Sequence, residues 1–280
     1  MSISTVRRKG RSASSAGRRT ADSPFMRGLA RLGLVVRGVM YVIIGWLAVR
    51  IAFGDSSQQA DRTGALHTVA GTSVGGVLLW LLVAGFIGLA LWRLSEALYG
   101  SPQAGGRKAS TRLKALARAI IYGFVAYGTL KYALGAGAPQ SSNQQSVDLT
   151  ATALKEPGGR ALVVILGLAL IAMGVYMAWQ AWRREFRKQL QTGRMRARTR
   201  RVVEWLGVVG GIARGVVFTT AGIFLVVAAA KSQPQQAKGI DSSLRALAAT
   251  PAGPLLLVLV AIGLIMFGVY SCCQARWFRA

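Results

Sequence analysis

The chain has 280 residues, 52% of them hydrophobic, with 35 basic and only nine acidic residues and a formal charge of +26. Charged residues make up 16%, against the about 25% usual in soluble domains. The apolar residues come in long blocks separated by basic ones, which is the layout of a membrane protein and argues against a soluble basic fold that binds nucleic acid.

The first segment, "MSISTVRRKGRSASSAGRRTADSPF", has no apolar core of a secretory signal. Its Ser, Gly, Ala and Arg cannot build a packed interior, so residues 1–30 read as a disordered basic tail. Six apolar blocks follow, at about 32–53, 74–98, 114–135, 159–182, 205–230 and 253–274, each near the roughly 20 residues a helix needs to cross a bilayer. They are apolar nearly all round and lack the alternation of barrel strands. Basic residues sort by side. Nine precede or include Arg37, six lie from Arg93 to Arg118, nine from Arg183 to Arg201, and Arg276 and Arg279 close the chain. The alternate side has eight, beside Asp55, Asp61, Asp148, Glu156 and Asp241. Both termini are therefore expected in the cytoplasm of a bacterium, with the protein in its plasma membrane. The stretches around 54–73, 136–158 and 232–251 are expected to face outward as polar, flexible loops.

The segment after the fourth block, "AWRREFRKQLQTGRMRARTRR", spaces Trp182, Phe186 and Leu190 four apart, with Arg183, Arg184, Arg187 and Lys188 on other faces. The fourth span reads as continuing into an interfacial helix that touches anionic lipid headgroups through those four cations; the plainer reading is a charge cluster that sets topology. Cys272 and Cys273 are adjacent, which disfavours a disulfide, and read as small apolar residues at a helix end. The lone His67 reads as an ordinary loop residue.

Three stretches share one pattern: "RGVMYVIIGWLAVRIAFG" from Arg37, "RAIIYGFVAYGTLKYALG" from Arg118 and "RGVVFTTAGIFLVVAAAK" from Arg214. The second spans repeat too. "ALHTVAGTSVGG" from Ala65 aligns with "SLRALAATPAGP" from Ser243, and Pro157 and Gly159 fall where Pro251 and Gly253 fall. Trp92, Tyr176 and Tyr270 each precede Glu96, Gln180 or Gln274 by four residues, and an Ala follows each time.

This triplicated hairpin resembles the bacterial integral membrane domain-of-unknown-function family 1206, whose members carry such two-helix repeats. The resemblance covers roughly 32–275 and implies architecture, since the family brings no established activity. The expected fold is an all-α membrane protein: six transmembrane helices as three parallel helical hairpins with pseudo-threefold symmetry about the membrane normal. The hairpins take 31–100, 113–182 and 205–276, joined by cytoplasmic linkers at 101–112 and 183–204. Small residues should mark the contacting faces: Gly38, Ala119 and Gly215 at one register, Gly45, Ala126 and Gly222 two turns on, and Gly207 and Gly211 in the fifth span.

The repeated arginines pose a question of cost. Arg37 and Arg118 sit close enough to the basic end to reach the interface. Arg214 follows nine uncharged residues, "WLGVVGGIA", and an arginine so deep costs about 2.5–3.5 kcal/mol on insertion scales. The expected answer is a polar layer in which each arginine bonds the Glu96, Gln180 or Gln274 of its own hairpin. Arg37–Glu96 would be its only ion pair and Arg214 its most buried member. The layer serves packing or forms an anion or lipid-headgroup site.

No paired carboxylates, triad, metal cluster or phosphate loop is evident, so no catalytic residue, metal or cofactor is assigned and no enzyme is expected. The expected function is a non-catalytic scaffold or accessory protein that binds a membrane partner or lipid. The alternative is a small transporter or channel with its path along the pseudo-threefold axis.

Overall fold

The computed structural model describes residues 24–54, 59–100, 109–137, 140–191, 193, 195–249 and 253–277. Of the expected disordered tail, residues 1–23 lie outside the described residues, as does most of the linker after the second span, but residues 24–30 correct that expectation: they open the first long helix, and Ala30 is buried. The described residues are predominantly helical, without strands. Six helices are long and apolar enough to cross a membrane. They are α1 (Pro24–Ala52), α3 (Gly75–Tyr99), α4 (Ala109–Ala133), α6 (Gly159–Trp182), α7 (Ala197–Ala230) and α9 (Gly253–Arg276). Three shorter helices, α2 (Arg62–Ala70), α5 (Ser142–Lys155) and α8 (Ile240–Ala248), join the two spans of each repeat.

The short helices correct the expectation of flexible loops. Their sequences hold starting signals that hydropathy hides. Asp61 caps α2 by accepting from the Gly64 amide, and Ser141 caps α5 by accepting from the Gln144 amide. Each then buries one residue at the same repeat position: Leu66, Thr150 and Leu244, at 0%, 3% and 0% exposure. The turn from short helix to long one is tight. A Cβ on Gly75 would lie 2.4 Å from the Ala70 carbonyl oxygen, and one on Gly159 would overlap that of Ala153, so only glycine fits there. His67 likewise belongs to α2, where its ring accepts from or donates to the Tyr132 hydroxyl at 3.1 Å.

The N-termini of the short helices lock the repeats together. Asp61 accepts from the Ser142 amide and hydroxyl at 2.8 and 2.9 Å. The Ser142 hydroxyl accepts from the Ile240 amide at 3.1 Å. Asp241 accepts from the Ala60 amide at 2.7 Å, and from Arg245. First repeat binds second, second binds third, third binds first. Burial holds the neighbouring Arg62 below the usual guanidinium value, with the Asp61 carboxylate opposing that shift.

The long helices form a ring whose most extensive close packing runs between repeats: α9 on α1, α3 on α4 and α6 on α7. Glycines set this closeness. A Cβ on Gly38 would lie 2.7 Å from the Gly268 carbonyl oxygen, and one on Gly268 2.6 Å from that of Gly38. Gly215 and Gly174 repeat the arrangement at 2.6 and 2.7 Å, and Gly222 and Gly167 at 2.8 and 3.0 Å. Gly45 meets the Ala261 carbonyl, Gly211 the Ala181 side chain and Gly207 the Phe186 ring. Ala119 and Ala126 are buried on α4. Within repeats, α1 packs on α3 and α7 on α9, but among the described residues α4 and α6 hardly touch. The ring is therefore open at the second hairpin. The apolar core lies toward the short-helix end, where Leu47, Leu66, Leu244 and Leu257 are fully buried.

The basic end also departs from expectation. The fourth span stops at Trp182, and Arg184 adopts φ +54°, which turns the chain out of helix. A single 3₁₀ stretch, Glu185–Gln189, then folds beneath the bundle. Phe186 packs edge-on against Tyr270 at 5.2 Å, and Leu190 is 2% exposed. Of the apolar residues that suggested an interfacial helix, Phe186 and Leu190 pack into protein instead, whereas Trp182 is exposed. α7 begins at Ala197, eight residues before the expected span, and carries Glu204 inside the bundle's basic end.

Candidate functional site: an arginine layer at the basic end

The three repeated arginines stand at one level. Arg37 and Arg118 lie 15 residues before the ends of their helices at Ala52 and Ala133, and Arg214 lies 16 before Ala230. At about 1.5 Å per residue this is roughly 23 Å from the short-helix end. One turn further along each helix comes an aromatic residue: Tyr41, Tyr122 and Phe218. Every arginine thus has a ring between it and the apolar core.

Arg37 is tied inside the bundle and does not reach out to the interface. Its guanidinium donates to Gln274 Oε1 at 2.9 Å, Ser271 Oγ at 3.2 Å and the Tyr122 hydroxyl at 3.5 Å. Arg214 makes no hydrogen bond or ion pair among the described residues. It rests instead against three rings, with its guanidinium carbon 5.0 Å from Phe267, 5.5 Å from Tyr41 and 5.6 Å from Phe218. Arg118 is exposed on α4, yet interacts electrostatically with Arg93, Tyr122, Arg214 and Glu96.

The expected pairing within each hairpin does not form. Arg37 bonds Gln274 of the third repeat. Buried Glu96 pairs with Arg93 one turn before it. Gln180 donates to the Tyr176 hydroxyl at 2.8 Å and to Glu185 at 3.4 Å. Arg214 is half-buried like Arg37, and not the singular buried member of the layer. The reason lies in the packing. The first span of each repeat sits on the second span of the preceding one, so the facing partner shifts by one repeat around the ring. Arg37 meets Gln274, and Arg118 senses Glu96.

Arg93 and Ser271 escaped the sequence reading. Both stand one residue after the repeated aromatic, Trp92 or Tyr270, where the second repeat has Met177. A residue type that changes between copies leaves no pattern to read. Arg93 stacks on Trp92 at 4.0 Å. Of the four cations expected against lipid, Arg183 lies over Trp179, whereas Arg184 and Arg187 reach Glu204 at 3.5 and 3.1 Å. The Lys188 side chain lies outside the described residues.

Three two-helix units in one ring, each with a short capping helix, define a multi-pass helical membrane protein built from hairpin repeats. The family model described as Domain of Unknown Function (DUF1206) matches residues 32–100, 113–184 and 209–277, and the chain belongs to that family. It is 29% identical over 250 residues to "Uncharacterized protein YxxB" of Bacillus subtilis (strain 168), an alignment covering 89% of this chain and 90% of that protein. No solved structure matches.

Proposed function

We propose that this is a non-catalytic scaffold or accessory protein of a bacterial plasma membrane, with both termini cytoplasmic, that binds a membrane partner or lipid. The carrying observation is where polarity sits. One polar layer, around Arg37, lies toward the basic end, and the other, around Asp61 and Asp241, joins the short helices. Between them Leu47, Leu257 and Ala261 are buried, at 1%, 0% and 0% exposure, in packed apolar core. That distribution favours binding at one face over conduction along the axis.

Reconstitution tests the reading. Proteoliposomes should pass potassium, chloride and phosphate no faster than empty vesicles. A saturable flux dependent on the protein would overturn it in favour of a transporter. Orientation rests on the basic asymmetry and has its own test. In a background lacking Cys272 and Cys273, single cysteines at the exposed Gln59, Gln145 and Gln235 should react in intact cells with a membrane-impermeant thiol reagent. One at Gly193 should not. Labelling at Gly193 alone would invert the topology.

A further inference from the structure

We propose that Arg37, Arg93, Arg118 and Arg214 form a binding site for a phosphate group, that of an anionic phospholipid entering sideways between α4 and α6. The inference deepens the binding reading above by naming its ligand chemistry.

Charge is the first ground. Four guanidinium groups share this layer with Glu96, which is already paired to Arg93. Tyr122 interacts electrostatically with Arg37, Arg93 and Arg214 at once, so these groups converge from α1, α3 and α7 on one residue of α4. Arg37 and Arg214 both lie within 5.4 Å of the Phe267 ring centroid. Two further acids of the basic end serve other partners. Glu185 accepts from Gln180, and Glu204 holds Arg184 and Arg187. Arginine does not shed its proton inside a protein, so the surplus charge calls for an anion.

Unspent hydrogen-bonding capacity is the second ground. The Nε atoms of Arg37, Arg93 and Arg214 are buried without an acceptor. Buried donors normally have partners, and three together in one layer mark a missing acceptor. Guanidinium groups arriving from several directions suit a tetrahedral oxyanion, which offers acceptors on all sides.

Access is the third ground. Among the described residues α4 and α6 hardly touch, and Arg118 is exposed on α4 while interacting electrostatically with Arg93 and Arg214. The opening therefore reaches the charged layer from the side. Lys114 lies across it, with its ammonium 5.2 Å from the Tyr176 ring. Leu116, Ile120 and Ile121 of α4 and Leu166, Met173 and Val175 of α6 are exposed apolar residues that acyl chains can line. Tyr41, Phe218 and Phe267 close the layer toward the core.

The test uses the full chain in a neutral detergent and follows thermal unfolding. The probes are dioleoyl phosphatidylglycerol against dioleoyl phosphatidylcholine in mixed micelles, and sodium phosphate against sodium chloride at matched ionic strength. Phosphatidylglycerol should raise the melting temperature saturably and phosphatidylcholine should not. Arg118→Gln and Arg214→Gln should each weaken that response about tenfold or more, the scale of one lost charge-assisted hydrogen bond. Arg196→Gln, on the exposed basic end, should not. Arg118 makes no hydrogen bond among the described residues, so its variant decides the matter if Arg214→Gln fails to fold. Stabilisation by free phosphate alone would assign the site to a soluble anion and overturn the lipid source. No response to either probe, or an equal response in the variants, would overturn the site. Flux in the reconstitution experiment with phosphate binding intact would remove the non-conducting reading and leave the site standing.

Discussion

Gly222→Leu is expected to lower the unfolding temperature sharply in detergent, whereas Gly123→Leu leaves it unchanged or slightly raised. Both glycines lie inside long helices, and a sequence cannot tell them apart by composition. At Gly222 a Cβ would stand 2.8 Å from the Gly167 carbonyl oxygen and 2.8 Å from the Ile171 amide nitrogen. Those are backbone atoms of α6 and cannot swing aside. Opening the helices to admit leucine would also loosen the Gly215–Gly174 approach two turns away. Overpacking costs about 1–3 kcal/mol and sometimes more, and backbone contact on both sides places Gly222 at the upper end. Gly123 meets nothing within 4 Å, and replacing a helical glycine gains up to about 1 kcal/mol of propensity. Tryptophan fluorescence during heating separates the two outcomes. If Gly222→Leu unfolds with the wild type, α6 and α7 do not meet on these glycines.

Asp61→Ala is the second large effect, expected at the opposite end of the molecule. The carboxylate is fully buried and satisfies three donors: the Gly64 amide at 3.1 Å and the Ser142 amide and hydroxyl. Losing a helix cap costs typically about 1 kcal/mol. Each buried donor left unsatisfied adds about 1–3 kcal/mol. A total of about 3–4 kcal/mol is expected, reduced because water can reach part of the vacated space. Thr72→Ala serves as the comparison, since Thr72 only bonds the Val69 carbonyl beside it at a turn. Hydrogen exchange of the Ser142 and Ile240 amides should rise with Asp61→Ala and stay unchanged with Thr72→Ala. Unaltered exchange at both amides would mean that the three short helices are not locked through Asp61.

Both variants bear on how far this fold could be read in advance. The six spans were legible because desolvation of a whole helix surface leaves a long, one-dimensional signal. Three of the expected spans, those of α3, α6 and α9, match their helices to within about two residues. The exceptions, α1, α4 and α7, begin eight, five and eight residues early. Their first turns are basic, and charged residues at a membrane edge can be helical without being apolar. α2, α5 and α8 went unread for the complementary reason: polar, alanine-containing segments show no hydropathy peak, and their order depends on Asp61, Ser142 and Asp241 meeting one another. The arginine repeat itself was plain, as was the aromatic one turn after each copy. Its partners were not, because proximity in the chain suggested Glu96 for Arg37 where the ring supplies Gln274.

The linear order of residues therefore decides the number of spans, their threefold repetition, the side on which basic residues gather and the level at which the arginines stand. Each follows from local chemistry: apolar length, charge asymmetry and a period in the chain. Which helix faces which was settled in three dimensions. Reciprocal glycine approaches bring α9 onto α1 and α6 onto α7, because a helix that lacks a Cβ lets its neighbour's backbone come near its own. That geometry turns Arg37 and Arg118 toward the preceding repeat and leaves α4 and α6 apart. It also folds Phe186 under Gly207, where the missing side chain on α7 makes room for the ring.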